Sequence, residues 1–173
     1  MPNMKQWMKG GFLFYVASVL LVLAYIFLWF LGNPAGIEEL RYAGWIIFAV
    51  GVVLIFLPRF VFRSKGKVKK ENDWTETTVL VDTGIYSVVR HPLYLGWLLM
   101  YLAIMLWSQH WLAIIVGVLG MTCIYLISKQ EDQRLVEKFG DDYKRYMFSV
   151  PRMNLLVGVI RLLQHKKEDE NDR

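Results

Sequence analysis

The sequence predicts an all-α, polytopic membrane protein with four transmembrane helices, a short hairpin made by the third and fourth, and amphipathic helices after them on the cytoplasmic side. Three observations predict it. Hydrophobic residues make up 55% of the chain and charged ones 20%, and the charges crowd between uncharged runs, a pattern suited to a lipid solvent rather than a water-soluble core. Residues 11–31 and 42–57 carry no charge, and the second run with its flanks approaches the length a bilayer core demands of a helix. Two further apolar runs, 93–107 and 111–127, are separated only by Ser108, Gln109 and His110, a connection so tight that the two helices must be antiparallel neighbours.

The first helix is expected over 11–31. Lys5 and Lys9 precede it, as they would a cleaved signal peptide, but the run is too long for a signal core and the turn-like Gly32-Asn-Pro-Ala-Gly offers no cleavage site. It reads as a retained span, broken at Gly32-Asn-Pro, with Tyr25, Phe27, Trp29 and Phe30 forming an interfacial belt at its far end. The connection to Arg41 holds Glu38 and Glu39, whereas the N-terminus and the stretch after the second span are rich in Lys and Arg. The positive-inside rule therefore puts the N-terminus and the 63–70 loop in the cytoplasm.

The second span is expected over 42–60, with Gly44 and Gly51 permitting close helix approach and Pro58 kinking or ending it. A net charge of +5 could point to nucleic acid, but Arg59, Arg63, Lys65, Lys67, Lys69 and Lys70 directly follow this helix. There they form a juxtamembrane flank attracted to anionic lipid headgroups, not a nucleic-acid site. A polar loop follows to about residue 79, with Trp74 as a headgroup anchor.

The third helix is expected over 92–107. Pro92 lacks an N–H and has φ pre-set for a first helical turn. The 15 apolar residues after it reach about 22 Å at about 1.5 Å per residue, short against a core of about 30 Å. Gly96, Gly117 and Gly120 are available where it meets the fourth helix, 111–127. Four crossings return the chain to the cytoplasm, so both termini are expected there. Beyond Ile127 an amphipathic continuation carries Leu135, Val136 and Phe139 on one stripe, with Glu131, Asp132 and Arg134 elsewhere, and stops at Gly140. Tyr143 and Tyr146 share a face of the next turn. Residues 150–154 break the chain. The apolar 155–163 stretch, too short to cross and interrupted by Arg161, reads as an interfacial helix on the cytoplasmic leaflet. The expected organisation is one membrane domain over 1–163 and a charged, disordered tail over 164–173. Cys123 is the only cysteine, which excludes an intrachain disulfide or cysteine metal cluster and reads as a buried inert thiol. His110 and His165 read as surface histidines, and no metal site is expected.

The residues that could carry chemistry gather around 82–96. Arg90 and His91 precede Pro92 and are either a basic pair flanking a helix or one side of a site. Glu131, Asp132, Tyr143, Tyr146 and Arg152 are expected on the same cytoplasmic side. Ionisable groups at the mouth of a lipid-walled cavity can hold a charged, water-soluble compound beside an apolar one. Trp97, Tyr101 and Trp107 either line a lipid tunnel there or serve packing and anchoring. On the residues alone, a non-catalytic four-helix membrane scaffold or subunit is the competing reading.

Gly84-Ile-Tyr86, Arg90-His-Pro-Leu-Tyr94-Leu-Gly96, Glu131-Asp132, Leu135, Phe139-Gly140, Tyr143, Tyr146 and Val150-Pro-Arg152 together resemble the integral-membrane methyltransferase superfamily. That group includes isoprenylcysteine carboxyl methyltransferases, phospholipid methyltransferases and related bacterial and archaeal thiol-directed members. The resemblance covers about 80–152, and the first two spans match only in being hydrophobic. It implies an S-adenosylmethionine (SAM)-dependent methyltransferase acting on a lipophilic acceptor drawn from the membrane. An isoprenylcysteine-like carboxylate or thiol is the expected acceptor, and the amine of phosphatidylethanolamine the alternative. It further implies SAM held at the cytoplasmic face by Arg90, His91, Tyr94, Leu95, Glu131, Asp132 and Tyr143, with His91, Glu131 and Arg152 as catalytic residues. Where the family usually has two glutamates, Asp132 is shorter by a methylene, and the arginine that the carboxyl-methylating branch carries near Ile127 is absent, with only Lys129 close by. A sulfonium donor can be met by tyrosine faces or a carboxylate, and the donor's own carboxylate by Arg90 or Arg152. Methyl transfer needs an in-line approach, so positioning and desolvation dominate and no metal is called for. The host membrane is expected to be a bacterial or archaeal inner membrane or the endoplasmic reticulum. Oligomeric state stays open.

Overall fold

Every regular element among the described residues is helical, as lipid demands of backbone that must satisfy its own polar groups. The computed structural model describes residues 4–31, 36–65 and 79–171, with side chains described over 11–31, 36–62 and 79–164. These hold six α-helices: α1 (Met4–Leu31), α2 (Glu38–Lys65), α3 (Pro92–Ser108), α4 (Trp111–Phe139), α5 (Asp141–Ser149) and α6 (Leu155–Asn171), with one 3-10 turn at Gly84–Ser87. Three of them are long and apolar enough to cross a membrane, over Gly11–Leu31, Glu38–Phe62 and Trp111–Phe139. The chain is thus an integral, multi-pass membrane protein. Helix α3 has 17 residues, about 26 Å at about 1.5 Å per residue, and falls short of a bilayer core. The expected break at Gly32-Asn-Pro, most of the basic 59–70 flank beyond Phe62 and the Trp74 anchor lie outside the described residues or side chains.

Two expectations about boundaries are corrected. Pro58 neither ends nor replaces α2, which runs through it to Lys65; the proline forfeits one backbone hydrogen bond, whereas ending the helix would orphan a whole turn of carbonyls. As expected, the apolar 111–127 run goes on as an amphipathic continuation that stops at Gly140, and the two form a single 29-residue helix, α4. Helix α6 extends to Asn171 through the stretch expected to be disordered, where Gln, Lys and Glu are good helix formers. Cys123, expected to be buried, is half-buried.

The chain divides into two compact units, one made of Met1–Ile55 with Tyr94–Arg134 and the other of Phe56–Leu93 with Leu135–Arg173. In the first, Tyr101 on α3 is the central side chain. It is 1% exposed and packs with Ala17, Ile124 and Ile127, and its hydroxyl donates to the Ala17 carbonyl of α1. On α4, Gly120 lies so close beneath the Tyr101 ring that a Cβ there would overlap it. Tyr101 is therefore a packing residue with its one polar atom satisfied, not a tunnel wall. Helices α2 and α3 approach backbone to backbone: a Cβ on Gly96 would sit 2.8 Å from the Gly51 carbonyl oxygen and 3.0 Å from the Ile55 nitrogen. Small residues permit such contact where lipid supplies no hydrophobic drive between helices. Trp107 lies over Gly44 and contacts Trp45 and Phe48, with ring centroids 4.6 and 5.2 Å away. At the α3–α4 connection, Gln109 uses its side-chain amide both ways, accepting from the Ile37 N–H at 2.8 Å and donating to the Ile37 carbonyl at 2.7 Å. That reciprocal pair ties the start of α2 to the hairpin turn.

In the second unit, the expected stripe of Leu135, Val136 and Phe139 packs against Tyr143, Tyr146 and Val150. Gly140 turns the chain between α4 and α5 with φ at 61°, a left-handed conformation that glycine adopts without a Cβ penalty. Tyr146 donates its hydroxyl to the Tyr86 carbonyl at 2.6 Å, and the Tyr86 ring stacks on Phe62 at 5.0 Å.

Three outcomes follow for thermal unfolding in detergent monitored by tryptophan fluorescence. Gly96→Val should cost about 1–3 kcal/mol through overpacking against α2, while Gly11→Ala, which meets nothing within 4 Å, should leave the midpoint unchanged. Tyr146→Phe should cost about 1–2 kcal/mol because it strands the buried Tyr86 carbonyl.

Candidate functional site

The 84–92 segment is built amide by amide. Gly84 opens it at φ 68°, and the Ser87 hydroxyl donates back to the Gly84 carbonyl at 2.7 Å. The Val88 and Val89 amides both donate to the Ile85 carbonyl, at 3.1 and 3.0 Å. The next two amides turn to a distant part of the chain: Arg90 N–H donates to the Pro151 carbonyl at 3.0 Å and His91 N–H to the Arg152 carbonyl at 3.1 Å. Pro92 has no N–H to place, and α3 starts on it. A buried backbone donor without a partner is costly, so this pairing holds the Arg90-His91 segment against 151–152.

The side chains that this backbone carries are buried. Arg90 is 9% exposed and His91 5%, which a basic pair merely flanking a helix at the membrane surface would not be. Arg152, half-buried, reaches the same place through its carbonyl. Tyr143 is 1% exposed, with its ring centroid 5.7 Å from that of Tyr146. The second unit thus brings Arg90, His91 and Arg152 together and gathers Tyr143 and Tyr146 in its core.

The first unit holds the other predicted residues. Asp132 is 3% exposed. Glu131 is half-buried and gripped by Arg134 through both carboxylate oxygens, with Nε at 3.0 Å from Oε2. Tyr94, on the first turns of α3, feels the charges of both Glu131 and Arg134 and packs against the Ile124–Ile127 cluster. Leu95 beside it is half-buried. Sequence reasoning placed Arg134 on the amphipathic stretch of α4 but missed its pairing with Glu131. Its spacing of three from Glu131 was the signal, since residues at i and i+3 are neighbours on a helix.

These groups suit SAM in kind. Two carboxylates match hydroxyl or ammonium donors, a guanidinium and an imidazole match a carboxylate, and a phenol ring offers a π face to a sulfonium. Asp132 in the first unit, and Arg90 and His91 in the second, are each buried, and polar contacts are stronger in such low-dielectric surroundings.

A family model described as phospholipid methyltransferase matches residues 40–142. The match takes in nearly all of α2, the Gly84–Ser87 turn with Arg90-His91-Pro92, and both α3 and α4 with the acidic pair. No curated protein and no solved structure matches the chain. On a match covering more than half its length, the chain belongs to the phospholipid methyltransferase family and is a SAM-dependent methyltransferase acting on a lipophilic substrate in the membrane.

Proposed function

We propose that the methyl acceptor is the amine of a phospholipid headgroup of the phosphatidylethanolamine kind. The observation that carries this reading is the family match itself, which spans both the Arg90-His91-Pro92 and Glu131-Asp132 motifs. It favours the phospholipid amine over the isoprenylcysteine carboxylate or thiol. Residues 125–130, ahead of the acidic pair, contain no arginine, in keeping with a headgroup amine as acceptor. Family membership also sets aside a non-catalytic scaffold.

In this reading SAM is held by Arg90, His91, Tyr94, Leu95, Glu131, Asp132 and Tyr143. When bound, it supplies a methyl group activated by a sulfonium and leaves as a neutral thioether. The guanidinium of Arg90 takes the methionyl carboxylate, and Asp132 takes ribose hydroxyls or the methionyl ammonium. The Tyr94 ring faces the positive charge. Arg152 steadies the headgroup phosphate. A headgroup ammonium must lose a proton before its nitrogen has a lone pair to offer, and each methylation releases one proton overall. The His91 imidazole or the Glu131 carboxylate accepts it, and Arg134 orients the latter through its paired contacts. Exclusion of water by the apolar helices strengthens each of these contacts.

The same reading takes the chain across the membrane four times, with α3 as the short crossing, both termini cytoplasmic and residues 1–163 acting as one domain. Anionic headgroups gather along the 59–70 flank.

The test is methylation in proteoliposomes using methyl-labelled SAM, with phosphatidylethanolamine and a farnesylcysteine analogue offered side by side. Monomethylated phosphatidylethanolamine should form and the farnesylcysteine ester should not; the reverse outcome would refute the phospholipid assignment. Glu131→Gln and His91→Ala should each lower kcat/KM by about 100-fold or more at unchanged yield.

A further inference from the structure

Helix α6 lies beyond the residues that the family model matches, yet it is fastened to the segment that ends in Arg90-His91. Asn154 starts it, its Oδ1 accepting from the Val157 N–H at 3.1 Å. Gly158 is buried and lies so near the Gly84–Ser87 turn that a Cβ added to it would overlap the Val88 carbonyl oxygen. No other residue fits there without moving that carbonyl. One turn on, Arg161 donates from a terminal guanidinium nitrogen to the Ser87 carbonyl at 3.2 Å. Gly158 and Arg161, three apart, share one face of the helix.

The opposite face is apolar and bare. Leu156, Val159, Ile160 and Leu163 are 75%, 42%, 56% and 58% exposed, and their spacing of three, four and seven makes a single stripe. A helix turning this face to water would carry polar residues on it. The apolar part, Leu155–Gln164, is too short to cross a bilayer. The chain spans a membrane, so the apolar phase within reach is the surface of that same lipid.

We propose that α6 lies in the membrane interface with this stripe in the acyl boundary, and that Gly158 and Arg161 act as positioning residues that pass its placement to the Ser87–His91 backbone. Seating α6 on lipid then holds Arg90 and His91 where SAM is bound. The docking stands alone; the positioning rests on Arg90 and His91 serving the SAM site.

Two measurements on the full chain test the two halves. Ile160→Cys in a Cys123→Ser background, carrying a nitroxide and reconstituted in phosphatidylcholine–phosphatidylglycerol vesicles, should collide more with oxygen than with a water-soluble nickel chelate. Greater access to the chelate would overturn the docking. Leu156→Glu combined with Ile160→Glu should weaken SAM binding about tenfold or more at unchanged yield. Arg161→Ala should do the same, and Arg161→Lys, which keeps a donor for the Ser87 carbonyl, should restore most of it. Unchanged SAM affinity in both the double-glutamate and Arg161→Ala chains would overturn the positioning. A failure of the unsubstituted chain to bind SAM would overturn the SAM-site reading and the positioning with it, while the nitroxide result would still decide the docking.

Discussion

Two backbone hydrogen bonds, from Arg90 N–H to the Pro151 carbonyl and from His91 N–H to the Arg152 carbonyl, are the constraint on which the second unit depends. At the mouth of an apolar helix there is little water to satisfy stray amides, so the chain must bring acceptors to them. Pro92 removes the next donor from the problem and lets α3 begin at once. The chain therefore has to return after α4, turn at Gly140, run through α5 and present the carbonyls of 151–152. The Tyr146 hydroxyl on the Tyr86 carbonyl and Arg161 on the Ser87 carbonyl satisfy the same polar turn from α5 and α6. One segment of awkward backbone thus recruits three later pieces of the chain, and Arg90 and His91 are buried as a consequence.

In the first unit the corresponding constraint is close approach. Gly51, Gly96, Gly117 and Gly120 each leave room that a Cβ would fill, and Tyr101 occupies the space above Gly120 while bonding to α1. Contacts of this kind fix α3 against α1, α2 and α4 although it is only 17 residues long. At its N-terminal end they set Tyr94 within the field of Glu131 and Arg134. Residues that read as candidates for lining a tunnel build this packing: Tyr101 is in the core, and Trp107 packs at a tilt against Trp45 and Phe48.

Much of this architecture was legible in the sequence because lipid makes few demands and states them loudly. Long uncharged runs, a proline at the head of α3 and glycines at helix crossings each have one dominant physical reading. The Leu135, Val136 and Phe139 stripe was legible for the same reason, its period matching the helix. What escaped were pairings between groups far apart in the chain. No local signal announces that Gln109 will clasp Ile37, or that the amides of Arg90 and His91 will seek 151–152. Pro58 misled because its local cost is real but smaller than that of breaking α2. The reach of α6 to Asn171 was hidden by a charge density that suits a disordered tail as well as a helix. The motifs around Arg90 and Glu131 pointed to methyl transfer, and the family match directs the acceptor toward phospholipid and away from isoprenylcysteine.

The chemistry asks little of the protein beyond placement, because the donor carries its own activation. Arg90 and His91 in one unit, buried, and the acidic pair Glu131-Asp132 in the other, with Asp132 buried, are what this chain offers for that placement, and their binding of SAM is the central claim. Ultraviolet crosslinking of methyl-labelled SAM to the reconstituted chain, followed by peptide mapping, tests it most directly. Label on peptides carrying His91–Tyr94 or Glu131–Asp132, lost on adding excess S-adenosylhomocysteine, is the predicted result. Competable label found only on other segments would contradict it.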